Sequence, residues 1–362
     1  METVGYGMEH IHAATSPFVL GMQQKQKKRN DNIDLIKILA CIAVVGLHTL
    51  RREVSVLNSF LYYLCGFAVP AFMMASGYFL LNRGKVSVSY SLKKICDIVR
   101  VVVLWSVIIA LMKVVYDGIQ GNLTMETWLY FPKTVAGSLV QKGVLWQFWY
   151  FGALILMYAA LPILTSGGRH LKAIWMTLCV IGIAFQWTSY ILGAPVQRKF
   201  IQTFRIWTWG QYFILGGLFG AKASRLRDVI SGVPRKIRVI ILVVITVVIV
   251  IFQNFAGRSL INNMFAEYFY DAPLTILWLV ALFSWAIQEP LPPKVQRIIH
   301  FVSPLTLGIY IIHPLVNRVV SMFLHVNTIW ASWLYFIGVL LLSGMASWIF
   351  MKIRWVKKLV EL

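Results

Sequence analysis

Three side chains able to do chemistry interrupt an otherwise apolar run, "NIDLIKILACIAVVGLH" at residues 32–48: the carboxylate of Asp34, the ammonium of Lys37 and the imidazole of His48. On a helix, Lys37 and His48 differ by about 20° around the axis and lie about 16 Å apart along it. Asp34 falls one turn below Lys37, within pairing distance. Charged groups in a membrane span are costly unless they face a polar interior, a partner or a cavity. The shared stripe therefore predicts a helix that lines a site. Snorkelling of Lys37 to one interface and His48 to the other is the structural alternative.

A second group lies in "KKICDIVRVVVLW", residues 93–105, where Arg100 stands about two turns above Lys93 and Lys94 with Asp97 one turn below it. An Asp97–Arg100 pair can be structural glue. It can equally belong to an inner basic cluster with Lys37, aimed at phosphate. "YIIHPLV" brings Tyr310 and His313 before Pro314, whose missing amide frees a backbone carbonyl, so a structural histidine at a kink and a functional one both fit. Arg205, Glu267 and Asp271 are further polar groups near the outer side. Trp146, Trp149 and Tyr150 cluster at the outer start of a span, where amphipathic rings favour the interface. "SGYFL" places Ser76 and Gly77 where two helices can pack closely.

These residues must be positioned by membrane helices. The 362-residue chain is 59% hydrophobic and 13% charged, with mean hydropathy +0.73. Repeated apolar runs of about 20 residues predict an all-α polytopic integral membrane protein, and the short alternating segments of an outer-membrane barrel are missing. About ten transmembrane helices are expected, near 33–50, 57–81, 95–116, 146–165, 173–192, 206–221, 237–255, 266–287, 299–322 and 329–351. The apolar signal is weakest near 200–221, where Arg205 and several glycines intervene.

The net charge of +21 collects between the runs, around residues 25–29, 83–94, 169–172, 222–238, 294–297 and 352–358. That pattern predicts both termini in the cytoplasm and a basic inner face against anionic lipids, not a nucleic-acid partner. Residues 1–30, ending near "KQKKR", read as a cytoplasmic basic tail, 31–353 as the transmembrane domain and 354–362 as a short cytoplasmic tail. Cys41, Cys65, Cys96 and Cys179 have neither disulfide nor metal-ligand spacing and read as small core residues.

With a basic residue, ten intervening positions and a histidine (Lys37 to His48), and with "SGYFL", "KKICDIVR", "WQFWYFGALILMYAALPIL", "YFILGGLFG" and "SPLTLGIYIIHPLV" following in order, residues 31–350 resemble the acyltransferase-3 family of membrane acyltransferases. The resemblance implies transfer of an acyl group, commonly acetyl, from acetyl-CoA or another acyl-CoA to hydroxyls of surface polysaccharides, lipid-linked glycans or other exported acceptors. It implies His48 as the catalytic histidine, with Lys37 and Arg100 as supporting cations. Lysine stands at 37 where arginine is often found, which keeps the charge and loses bidentate geometry. Asp34, Trp149, Tyr150, Tyr310 and His313 complete the candidate substrate-binding set, with no metal and no permanently bound cofactor expected. The expected setting is the plasma membrane of a bacterial cell, with a homo-oligomer allowed. A transporter or flippase using the intramembrane Asp, Lys and His as a path is the competing reading. A sensor or amino-acid uptake partner is the third.

Overall fold

The computed structural model describes residues 29–166, 170–221, 229 and 232–362. The basic tail expected at 1–30 lies almost wholly outside them, as do Arg169, Lys222, Arg225 and Arg227, which carried part of the orientation argument. Among the described residues the chain is helical, without strands.

Helix α1 (Asp31–Thr49) is followed by α2 (Val56–Leu64), a 3-10 turn (Cys65–Phe67) and α3 (Ala68–Leu80), which together form one apolar run. Next come α4 (Val88–Ile119), α5 (Met125–Leu139), α6 (Trp149–Ser166), α7 (Leu171–Ile191) and α8 (Ile206–Gly220). The last elements are α9 (Arg235–Ser259), α10 (Pro273–Ala286), α11 (Pro293–Val302), α12 (Thr306–Val320) and α13 (Ile329–Lys352). Each of the ten expected spans falls on helix, and 8 helical runs are long and apolar enough to cross a membrane. The other two, α8 and α10, have 15 and 14 residues. Helix α8 is buried along nearly its whole length, so it is enclosed by protein on all sides.

Helices α3 and α8 make the closest pair. A Cβ added to Gly77 would stand 1.7 Å from the Phe213 carbonyl oxygen, and one added to Gly216 would stand 1.9 Å from that of Met74. With no bulky side chains between them the two backbones touch, as small residues permit in membrane helix pairs. Asn82 adds a hydrogen bond from Nδ2 to the Gly217 carbonyl at 2.9 Å.

Two elements depart from expectation. Helix α4 begins at Val88, earlier than the expected 95, so Lys93 and Lys94 are helical. Helix α5 was not anticipated. It starts with a capping box in which Thr124 and Thr127 satisfy each other's ends, and it is tied to α4 by a 2.5 Å hydrogen bond from Thr127 Oγ1 to Asp117. Threonine in place of the usual Glu or Gln at the box, and Pro132 inside the helix, obscured it. Cys96 corrects the reading of all four cysteines as core, because it is exposed, whereas Cys41 and Cys179 are buried.

Candidate active site

His48 stands in the last turn of α1. Thr49 Oγ1 bonds back to the Val45 carbonyl at 2.7 Å, and beyond Leu50 the chain turns over Arg51–Ser55 into α2. Ser55 caps α2, its hydroxyl accepting from the Asn58 amide at 3.0 Å. Asn58 also donates to the Arg51 carbonyl at 3.2 Å and accepts from Trp333 Nε1 at 3.2 Å, pinning this turn to α13. The imidazole is thus carried by a rigid helix end, as precise placement requires.

His48 faces a cavity of about 290 Å³ together with Val44 and Leu47 of the same helix. Trp146 meets the His48 ring edge-on at 4.9 Å, brought there by a 3-10 turn (Trp146–Phe148) that precedes α6. Trp149 closes another side, buried and packed against Trp209 at 5.0 Å. Tyr62, Phe265, Tyr268 and Tyr270 complete an aromatic wall, with Gln141, Gln202 and Glu267 supplying polar atoms. No hydrogen bond to the His48 ring comes from the described residues, so both ring nitrogens remain available to a ligand.

The far wall hangs on α8. Trp209 Nε1 donates to the Gln202 carbonyl at 2.6 Å and the Tyr212 hydroxyl to the Tyr270 carbonyl at 2.5 Å. Asp271 accepts from Thr208, Trp207 and Gln211 at 2.7, 3.1 and 3.2 Å. These bonds satisfy groups that would be costly to bury alone, and they hold the segments that carry Gln202 and Glu267 into the cavity lining.

His313 stacks beside His48 with ring centroids 5.4 Å apart. Its Nδ1 lies 3.1 Å from the Ile309 carbonyl and must donate there, which leaves a lone pair on Nε2. That nitrogen is buried and without a hydrogen-bond partner. Tyr310, one turn earlier, donates to the Gln147 carbonyl and contacts both His313 and Tyr150. Tyr150 packs between Phe72 and Tyr310, at 6.1 and 5.6 Å. His48, His313, Tyr310, Tyr150 and Trp149 therefore belong to one neighbourhood.

Asp34, Lys37 and Arg100 do not line that cavity. Lys37 Nζ lies 3.1 Å from Asp34 Oδ1 and 5.2 Å from the centre of the Phe79 ring. Arg100 keeps to a separate cluster: Asp97 bridges it and Lys94 at 3.2 and 3.1 Å, and its Nη2 reaches the Glu361 carbonyl at 3.5 Å. The stripe on α1 is real as a face, but the cavity's α1 lining comes from Val44, Leu47 and His48. Lys37 and Arg100 each pair with a carboxylate of their own helix, Asp34 and Asp97.

Sequence reasoning left Gln202 and Tyr62 out of the site and noted Glu267 only as a polar residue near the outer side. Gln202 and Glu267 are 65 positions apart and hydrogen-bonded to each other. No local spacing could pair them.

A family model described as an acyltransferase domain matches residues 30–352. An amino-acid racemase of Enterococcus faecalis is 26% identical over 310 residues, covering 81% of this chain and 42% of the relative. The chain thus spans less than half the length of that relative. No solved structure matches. With 8 helical runs apolar enough to cross a membrane and the family match over residues 30–352, the chain belongs to the acyltransferase-3 family.

Proposed function

We propose that the protein moves an acyl group, acetyl in the simplest case, from acyl-CoA to a hydroxyl of a surface polysaccharide, lipid-linked glycan or other exported acceptor, with His48 as general base. The observation that carries this reading is an imidazole with no hydrogen bond from the described residues, on the wall of an aromatic cavity. A neutral imidazole carries one nitrogen lone pair, which can take a hydroxyl proton. In the proposed step the acceptor O–H gives its proton to His48 and the oxygen bonds to the thioester carbonyl carbon. The tetrahedral adduct then collapses with cleavage of the C–S bond, and the imidazolium returns the proton to the leaving thiolate. Products are an ester and free coenzyme A.

Coenzyme A is polyanionic, which supports an entrance at the Lys37 and Arg100 end, with Lys94 and the lysines at 357 and 358 nearby in sequence or space. The positive-inside pattern supports cytoplasmic termini in a plasma membrane, with His48 towards the outer face. The family governs this reading, and the relative's racemase activity does not, because the family match covers residues 30–352 while the relative is shared over 42% of its length.

Membranes containing the full chain, incubated with acetyl-CoA labelled in the acetyl group, test the proposal. Label should appear in an alkali-labile ester on an envelope acceptor. Vesicle uptake or flipping of a solute with no ester formed would instead favour the transporter reading.

A further inference from the structure

Gln202 and Glu267 bring acceptor oxygens to the cavity that His48 lines. Gln202 Nε2 donates to Glu267 Oε2, while Gln202 Oε1 is buried with no hydrogen-bond partner although the residue lines the cavity. A carboxylate accepts at about four lone-pair sites, so Glu267 has acceptor capacity beyond its bonds to Gln202 and Tyr268. Buried acceptors normally find donors, and a ligand rich in donors would supply them.

The charges nearby narrow the ligand further. Arg205 is buried, sits 5.5 Å from the Tyr268 ring centre, and forms no ion pair among the described residues, so its charge acts on Glu267 at longer range. Arg52 lies over the rings of Phe265 and Tyr62 at 4.3 and 5.0 Å. The Arg205 guanidinium acting on Glu267 disfavours a cationic ligand such as an amine, whereas Arg52 is already paired with Glu53 at 3.1 Å. A neutral molecule whose edge bears hydroxyls and whose faces are apolar fits both the acceptors and the aromatic wall of Trp146 and Trp149. The volume, at the small end for ligand pockets, suits a single ring.

We propose that Glu267 and Gln202 form the acceptor-recognition pair, accepting hydrogen bonds from hydroxyls of a neutral pyranose and so presenting a neighbouring hydroxyl to His48. The identity of the reacting hydroxyl rests on the acyl-transfer reading, whereas sugar binding by the pair does not. Glu267→Gln keeps the shape and exchanges acceptor capacity for a donor, and Gln202→Met keeps length while removing both polar atoms.

The test titrates the purified full chain with methyl glucoside, N-acetylglucosamine and L-serine, following tryptophan emission, since Trp146 and Trp149 line the cavity. Saturable changes with at least one of the two sugars, and at least a tenfold weaker dissociation constant in Glu267→Gln, are expected. Gln202→Met should weaken binding in the same direction. Unchanged emission without ligand, and an unchanged size-exclusion profile, identify which variants are folded. Serine binding more tightly than either sugar overturns the proposal. So do sugar affinities within twofold of wild type in whichever variant is folded, or no saturable change with either sugar in the wild type. Sugar binding that depends on Glu267, in membranes that form no ester from acetyl-CoA, would leave this pair standing and remove the transferase reading. Ester formation without sugar binding would do the reverse.

Discussion

Replacing Lys37 by methionine separates its two roles, because the thioether keeps most of the stem against Phe79 while deleting the charge. At 3.1 Å from Asp34, the ion pair has a gross Coulomb energy of about 5 kcal/mol at an effective dielectric constant of 20. The Lys37 side chain is 32% exposed and that of Asp34 10%, so solvent screening lowers the net value. Removing this cation from beside Asp34 should therefore cost about 2–3 kcal/mol, below the full penalty for a deeply buried pair. For a chain of this size that corresponds to a fall in melting temperature on the order of 3–4 °C. Asp34→Asn in the same background should restore most of the stability. If Lys37 also receives coenzyme A phosphate, as proposed, acyl-CoA affinity should stay roughly tenfold weaker in the restabilised double variant, equivalent to about 1.4 kcal/mol. Thermal melts in detergent paired with acyl-CoA titrations read both quantities. Recovery of stability and of normal affinity together would make Lys37 only an ion-pair partner, and the phosphate-binding role would be refuted.

Gly77→Ala should abolish stable accumulation or lower the melting temperature by about 4 °C or more, since its Cβ would overlap the Phe213 carbonyl and an overpacked core costs roughly 3 kcal/mol or more at so close an approach. Gly118→Ala, with nothing within 4 Å of its new Cβ, should be neutral or stabilising by about 0.5–1 kcal/mol, and melts of both variants check the contrast. Hydrogen bonds from Arg235 hold the Glu289 carboxyl, in the connector after α10, below its usual range. That stabilisation is complete above the unfolded carboxylate pKa of about 4.3 and is lost as pH falls through the lowered folded value. The advantage of wild type over Glu289→Gln in melting temperature should accordingly be present at neutral pH and shrink in acid.

The apolar runs disclosed the helical membrane fold because hydrocarbon demands length and apolarity in every crossing segment. His48 stood out for the same reason, as a polar group where a span should have none. The helix α5 was hidden because it lies outside that rule: its Trp128 and neighbouring apolar residues are exposed, Pro132 interrupts it, and its cap is a pair of threonines. Lys37 and Arg100 share a sign and an end of the bundle by charge pattern, yet each is claimed by a carboxylate one turn away, Asp34 and Asp97. Helical spacing reveals such local pairs and says nothing of distance between helices. The cavity needed the tertiary structure. Gln202 and Glu267 reach it only because buried side chains of α8 hold two connectors in place.

The central claim is that His48 takes the acceptor proton at this cavity, and the rate of acyl transfer by His48→Ala tests it most directly. Its ring touches Trp146 and His313 and makes no protein hydrogen bond among the described residues, so the variant should insert and melt close to wild type. Loss of a general base lowers the rate by about 10²–10⁴-fold. With protein levels matched in membranes and acetyl-labelled acetyl-CoA as donor, ester formation should fall by at least that lower bound while acyl-CoA binding is retained. Transfer within a few fold of wild type would contradict the account.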